Sequence, residues 1–461
     1  MRDNHIKFTA LGGCGEIGAN AYHLELDGTG ILLDAGIHPK KYGKDSLPLL
    51  EGLRKKEIHA ILISHCHIDH LGALPVVLKY FPTPRIFMTG PSFPISMRML
   101  HNTVTVMERL KEEKGVSEYP FYTHQEIDMI ANLFQAMEYG KAFRIPSMNG
   151  YHREELEGLF LDAGHILGSA GTLIRGRERT VFYTGDTCRH DQTVIKGALY
   201  PKEAIDLLIL ENTLCSSPEA ERKKRGNEIQ RLAAEIRRVI DRGGTVLIPT
   251  FALGRTQELL SILNRLKKRD RIPDVPILVS GMGKVFSKIY DRFALHTRRK
   301  DPELLFKDIP TRSLNSRNSL TKKSFKNPSI IVATSGMLSE KTPANQLSWG
   351  MVENPKHGIF FVGYLDEDTP GFQLLNTPQG QEVTIDRLLP PRKKVCDVLT
   401  FRFSAHSHRQ EILQIVEDLT PKKVILVHGE TGSVGWTAEM IRQMEKGIEV
   451  IIPELGKEIC L

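Results

Sequence analysis

The sequence predicts an α/β protein in which one α/β unit is interrupted by another. Three observations carry this expectation. Short apolar runs recur through the first part of the chain, and each ends on a polar residue. A middle stretch alternates helix-period and strand-like segments of its own. From residue 396 the chain returns to the earlier style.

Taken in order, IKFTAL (6–11), AYHLEL (21–26) and ILLDAG (31–36) read as strands, the last ending at Asp34. HAILIS (59–64) is too short and too rich in isoleucine for a helix, so a strand runs directly into the histidine-rich string that follows. LGALPVVLKY (71–80) reads as the start of the next helix, because Pro75 is tolerated only near a first turn. GLFLDAGH (158–165), GTLIRG (171–176) and TVFYTGD (180–186) are expected strands with polar ends, and AIDLLILEN (204–212) is an unbroken apolar strand reaching Glu211.

The segment 221–244 then carries apolar residues at helical spacing and stops at Gly243 and Gly244. TVLIPTF (245–251) begins a new strand, and TQELLSILNRLKK (256–268) is helix-like. The tail holds CDVLTFRFSAHSH (396–408), a helix-like RQEILQIVEDL (409–419), the strand KKVILVHGE (422–430) and a short finish. These breaks divide the chain into 1–211 and 396–461, two parts of one domain, with 212–395 inserted between them. No internal repeat is visible.

A chain of 461 residues is too long for one ordinary core, and its 41% hydrophobic and 25% charged content is that of a globular protein. No apolar run approaches the roughly 18 to 20 residues that span a bilayer, and the start MRDNHIKFTA lacks the apolar core of a secretory signal. The expectation is a soluble, cytoplasmic protein with no membrane partner. Cys14, Cys66, Cys188, Cys215, Cys396 and Cys460 form no C-x-x-C pair, which argues against a disulfide framework and against a cysteine-type zinc site. The net charge of +7 divides into +13 over 212–395 and −6 over the rest. Clusters such as RLKKR (265–269) contribute, and the asymmetry gives the inserted segment a positive potential suited to a polyanion.

The chemistry is concentrated in SHCHIDH (64–70). Divalent transition metals need neutral imidazole nitrogens and carboxylate oxygens to converge, which short loops with clustered ligands provide. If the loop is extended, His65 and His67 point the same way and Cys66 the other, so the two histidines can share one metal. Asp69 and His70 then turn toward a second. His165 in DAGHILGSA, Asp186 in YTGDTC and His428 in LVHGE lie at expected strand ends beside glycine. Singly each reads as a structural polar residue; with the cluster they complete a ligand set. An Asp186 bridging two metals suits phosphodiester hydrolysis.

At this point the motifs align with a known family. LISHCHIDHLGALP resembles the signature of the metallo-β-lactamase superfamily, and GTVLIPTFALGRTQELL, ATSGML, FVGY, FSAH and LVHGE resemble the β-CASP nucleases, in the family's order from LGGCGEIG (11–18) to His428. The resemblance implies a metallo-β-lactamase αββα sandwich with an inserted α/β β-CASP domain. It implies two Zn2+ per chain, with Mn2+ or Fe2+ as other candidates. His65, His67 and His165 would hold one metal, Asp69, His70 and His428 the other, and Asp186 would bridge them. Asp34 would support the metal loop.

Glu211 matches motif A and His406 motif B, the histidine thought to protonate the leaving oxygen. Asp69, His406 and Glu211 are thus the catalytic residues that the resemblance implies. Arg255, Ser335 and Gly336 are candidates to face the scissile strand, with a structural role equally open. The implied function is a metal-dependent ribonuclease acting on single-stranded RNA through a hydroxide held by two metals, by endonuclease or 5′-to-3′ exonuclease action. The alternative is a small-molecule hydrolase of a lactam, lactone or thioester. A homo-oligomer is left open.

Several positions depart from the family pattern. Glu211 is followed by Asn212, Thr213, Leu214 and Cys215 where STYG is common. His408 stands where an aspartate often follows motif B, and the sequence supplies no physical account of it. ATSGM is closer to the polyadenylation-endonuclease branch than to ribonuclease J.

Overall fold

The computed structural model describes residues 6–54, 56–146, 156–222, 224–314, 325 and 327–461. It divides into two compact units. The first comprises Met1–Asp191, Gly197–Glu221 and Ala405–Leu461, and the second Gln192–Lys196 and Arg222–Ser404.

The first unit contains two seven-stranded sheets. One orders Glu458–Cys460, Lys7–Ala10, Tyr22–Leu26, Thr29–Leu33, Ala60–Leu62, Arg85–Thr89 and Phe134–Met137. The other orders Glu449–Ile451, Lys423–Val427, Leu207–Glu211, Thr180–Tyr183, Ala170–Arg175, Leu156–Asp162 and Ala142–Ile145. Their inner faces share one core, in which Phe8, Leu24 and Ile31 of the first sheet meet Phe160, Ile174, Val181, Ile209 and Ile425 of the second. Strand alternation sends Leu208 and Leu210 to the opposite face, where they pack with Ile412, Ile415, Val434 and Ile441. Those last four lie on the helices Arg409–Leu419 and Thr431–Gln443. Two sheets with helices outside them are the αββα sandwich.

Pro75 falls in the first turn of Leu74–Tyr80, where its missing N–H costs nothing. The string 64–70 is split between an extended loop and a one-turn helix, Ile68–Leu71. The final strand, Glu458–Cys460, returns to pair antiparallel with Lys7–Ala10, a partnership no local pattern announces.

The second unit is built on a six-stranded sheet ordered Thr311–Ser313, Ile277–Val279, Ile330–Ala333, Val246–Pro249, Gly358–Phe361 and Asp397–Thr400, with every pair parallel. Its central strands are wholly buried, as parallel strands covered by helices on both faces are. The expected helices over 221–244 and 256–268 appear as Arg225–Asp241 and Arg255–Lys268, while Lys223 lies outside the described residues. Asp397–Thr400 pairs with Gly358–Phe361, so the chain adds an edge strand to this sheet before the first unit resumes at Ala405. Among the described residues no helix is long and apolar enough to cross a membrane.

Candidate metal centre

The expected ligand residues all belong to the first unit; five sit at or just beyond the C-terminal ends of strands, and Asp69 and His70 lie on the one-turn helix Ile68–Leu71. His65 and His67 follow Ala60–Leu62, His165 follows Leu156–Asp162, Asp186 follows Thr180–Tyr183, and His428 follows Lys423–Val427. The extended loop places His65 Nε2 3.1 Å from His67 Nδ1, while Cys66 Sγ points away to donate to Ser92 O. His165 Nε2 comes equally close, 3.1 Å, to His67 Nδ1.

Asp186 faces both clusters. Its Oδ2 is 3.5 Å from His65 Nε2 and 3.7 Å from His165 Nε2. Its Oδ1 is 3.3 Å from His70 Nε2 and 3.1 Å from His428 Nδ1. Asp69 Oδ2 lies 3.3 Å from His428 Nε2 and 3.7 Å from His70 Nε2. Three groups result among the described residues, His65, His67, His165 and Asp186, then Asp69, His70 and His428, and a third, Asp186, Glu211 and His428, that links the first two, each with its ligand atoms within 4.8 Å of one another.

Proton bookkeeping tests whether a cation fits. His165 donates from Nδ1 to Ala405 O at 2.9 Å, which leaves Nε2 of the neutral ring with a bare lone pair. Ser64 Oγ gives its only proton to Asp34 Oδ2 at 2.7 Å, so it accepts from His65 Nδ1 at 3.1 Å, and His65 Nε2 is bare as well. Both lone pairs face His67 Nδ1, which has at most one proton to offer. Nitrogens at 3.1 Å that cannot all be hydrogen-bonded are near the ligand spacing of about 3.3 Å that tetrahedral zinc–nitrogen bonds impose. Asp186 Oδ1 is buried and has no hydrogen-bond partner. The donor set therefore fits one or more metal ions.

The electrostatics agree. Burial pushes His65 and His165 well below the usual imidazole range, with neighbouring imidazoles adding to it. Burial also brings His67 down to about 4. These rings are neutral near pH 7, the form that ligates. Burial alone would raise the Asp186 carboxyl, but His428, His70 and His65 outweigh it and hold it well below the carboxylate range. For His70 burial is likewise overcome, here by Asp186, Asp69 and Asp34, and its pKa rises.

Asp34 supports this floor from beneath. It is fully buried and accepts from Ser64 N at 2.7 Å, His70 Nδ1 at 2.8 Å and Tyr183 OH at 2.6 Å, besides the Ser64 hydroxyl. The loop behind it admits only glycine at Gly36, because a Cβ there would stand 1.6 Å from Asp69 O. Glu211 closes the strand Leu207–Glu211, with Oε1 accepting from Thr187 N at 2.8 Å and facing His406 Nδ1 at 3.1 Å. The His406 ring packs 4.6 Å from that of His165 and keeps about a fifth of its surface exposed.

Arg255, Ser335 and Gly336 lie in the second unit. Arg255 is buried, and its guanidinium donates to Phe403 O and Gln192 Oε1. Ser335 Oγ accepts from Met337 N at 3.3 Å and Ser339 N at 3.2 Å, closing its own turn. His408 precedes the helix Arg409–Leu419, where its N–H donates to Glu411 Oε2 at 3.1 Å.

Other residues reach the cluster without a sequence signal. Asn20 donates to Asp69 O at 3.0 Å and lies 3.1 Å from His70 Nε2, and Tyr22 OH donates to Asn20 Oδ1 at 2.8 Å. Tyr183 and Thr213 are two more.

Three family models match. The metallo-beta-lactamase superfamily covers 14–125, the Beta-Casp domain 256–374, and the Zn-dependent metallo-hydrolase RNA specificity domain 393–453. An endoribonuclease of Kluyveromyces lactis is 30% identical over 94% of this chain and 56% of its own length. A protein named as a probable RNase in Methanocaldococcus jannaschii is 30% identical over 96% of this chain and 97% of its own. The chain thus spans a little over half of the yeast protein and nearly all of the archaeal one. A crystal structure of a protein of unknown function from Enterococcus faecalis shares the fold, with a TM-score of 0.59 at 14% identity over 99% of this chain and 100% of that one.

Proposed function

The chain belongs to the β-CASP family of the metallo-β-lactamase superfamily, and from that premise we propose that it is a metal-dependent ribonuclease hydrolysing RNA phosphodiester bonds. The observation that carries this reading is the pair of ligand clusters with the Asp186 carboxylate between them, one oxygen toward His65 and His165 and the other toward His70 and His428, and the Glu211–His406 pair beside them. In this reading His65, His67, His165 and Asp186 hold one Zn2+, and Asp69, His70, His428 and Asp186 hold a second. When bound, such ions supply Lewis acidity for the phosphoryl oxygens and an activated water.

The protein's own residues do the rest. Glu211 accepts the Nδ1 proton of His406, which favours the charged imidazole and fixes the ring's direction, so that His406 protonates the departing oxygen. Asp34 orients His70 through Nδ1 and leaves Nε2 toward the ligand cluster. The segment 212–395, read as the inserted β-CASP domain between 1–211 and 396–461, holds the backbone of single-stranded RNA through its net charge of +13. Six cysteines without a disulfide support a reducing compartment, and we place the protein in the cytoplasm.

The test is to incubate metal-loaded protein with RNAs differing only in their 5′ group, beside matching single-stranded DNA. RNA cleavage is expected, with the products distinguishing internal cuts from 5′-end degradation. His67→Ala and Asp69→Ala are expected to abolish it. Turnover of a β-lactam or thioester without any nuclease activity would reverse the reading.

A further inference from the structure

Thr213 stands two residues beyond Glu211, and its hydroxyl lies 3.4 Å from His428 O and, closer, meets two side chains at the ligand cluster. One is Glu211 Oε2, at a separation below the ordinary hydrogen-bond range; the other is His428 Nδ1, at 2.9 Å. A threonine hydroxyl has one proton, and a carboxylate only accepts. The proton therefore goes to Glu211, whose Oε2 also accepts the Thr213 amide at 3.1 Å. Toward His428 the hydroxyl oxygen is left as an acceptor, so Nδ1 carries a proton. The remaining nitrogen, Nε2, faces Asp69 Oδ2 at 3.3 Å, an oxygen that also only accepts, so without an ion between them Nε2 carries a proton as well, and it is this proton, not the one on Nδ1, that a bound ion displaces.

We propose that Thr213 is a positioning residue that holds His428 in its Nδ1–H tautomer and so presents Nε2 to the metal shared with Asp69 and His70. The inference rests on the metal reading above. It assigns a task to the one residue of the stretch after motif A that keeps the STYG pattern. It also links the Glu211–His406 pair to the ligand set, because one carboxylate receives both the Thr213 hydroxyl and the His406 ring. A ligating histidine whose other nitrogen loses its partner is free to rotate and to change tautomer.

Thr213→Val removes the hydroxyl at nearly constant shape, and Thr213→Ser keeps it. Spectra of 15N-labelled imidazoles in the zinc-loaded protein read the tautomer directly, with His428 assigned by the signal lost in His428→Asn. The wild type and Thr213→Ser are expected to show Nδ1–H at His428, and Thr213→Val a gain of Nε2–H. In chelator competition the weaker of two metal equivalents should loosen about 10- to 100-fold in Thr213→Val and less than about threefold in Thr213→Ser. Nε2–H at His428 in the wild type overturns the proposal, as does a Thr213→Val protein that holds both equivalents like wild type. Should Thr213→Val fail to fold, the wild-type tautomer and Thr213→Ser still decide. A wild type that takes up no second equivalent removes the two-metal reading itself, an outcome distinct from failure at Thr213 alone.

Discussion

Asp34→Asn is expected to weaken metal binding about 10- to 100-fold, or about 1.4 to 2.7 kcal/mol, while the protein remains folded. The substitution keeps side-chain shape, and asparagine tolerates the left-handed backbone found here, with φ +59°. Of the carboxylate oxygens, Oδ1 accepts Ser64 N at 2.7 Å, and Oδ2 accepts Ser64 Oγ at 2.7 Å, His70 Nδ1 at 2.8 Å and Tyr183 OH at 2.6 Å. The single oxygen of asparagine must stay on Ser64 N–H, which cannot turn away. Its NH2 then replaces Oδ2.

The two hydroxyls can rotate to accept from that NH2. His70 can accept only by moving its proton from Nδ1 to Nε2, the nitrogen 3.3 Å from Asp186 Oδ1, and a protonated nitrogen does not ligate. Chelator competition on metal-free protein measures the loss, and thermal unfolding checks the fold. Tyr183→Phe is the control, since it leaves the Asp34 to His70 bond in place and should cost less than about threefold in affinity. An Asp34→Asn protein that binds metal as tightly as wild type refutes the tautomer argument.

Glu258 is buried in the second unit, accepts from Thr193 N at 2.6 Å and Val194 N at 3.0 Å, and pairs with Arg225. Glu258→Ala should cost about 3 to 5 kcal/mol in chemical denaturation, because it strands buried cationic groups. Burial would raise this carboxyl, but Arg225, Arg255 and Thr193 hold it below the usual 4.5. Its stabilisation is therefore complete above pH 4.5 and drains as pH falls through the lower folded-state value; Glu258→Gln should flatten that acid limb of the stability profile. Gly36→Ala puts a methyl 1.6 Å from Asp69 O and should lose at least about 2 kcal/mol together with metal uptake, so an unchanged melting temperature would contradict the loop geometry. His406→Ala should lower single-turnover RNA cleavage about 10²- to 10⁴-fold with metal content unchanged, and a fall in metal content would move His406 into the ligand set.

What the sequence made legible follows distance along the chain. His65, His67, Asp69 and His70 could be read together because one loop and one turn of helix hold them, and strand alternation alone put Cys66 on the far side. His165, Asp186 and His428 each stood at a readable strand end, but their convergence needed the family pattern, since nothing local brings Lys423–Val427 beside Leu207–Glu211. Asn20, Tyr183 and Thr213 were not legible. Each acts through a polar atom delivered by tertiary packing, and asparagine, tyrosine and threonine at such positions resemble ordinary strand or loop residues. The stretch 396–408 was read with the returning part of the first domain, whereas Asp397–Thr400 pairs with Gly358–Phe361 in the second unit, a partnership that no local pattern announces.

The parallel pairing of Leu207–Glu211 with Lys423–Val427 also sets a timetable for a nascent chain. At ribosomal speeds the later strand emerges roughly 10 to 40 s after the earlier one. Through that interval His65, His67, His165 and Asp186 already exist, whereas His428 does not. The faces of Leu208 and Leu210 also wait for the helix Arg409–Leu419 that covers them. The second unit's parallel sheet, complete at Thr400, is synthesised entirely within the wait. Assembly of the first unit is thus a ring closure across a finished domain, and a protein stalled before Lys423 would present four ligands to a metal with the second cluster unfinished.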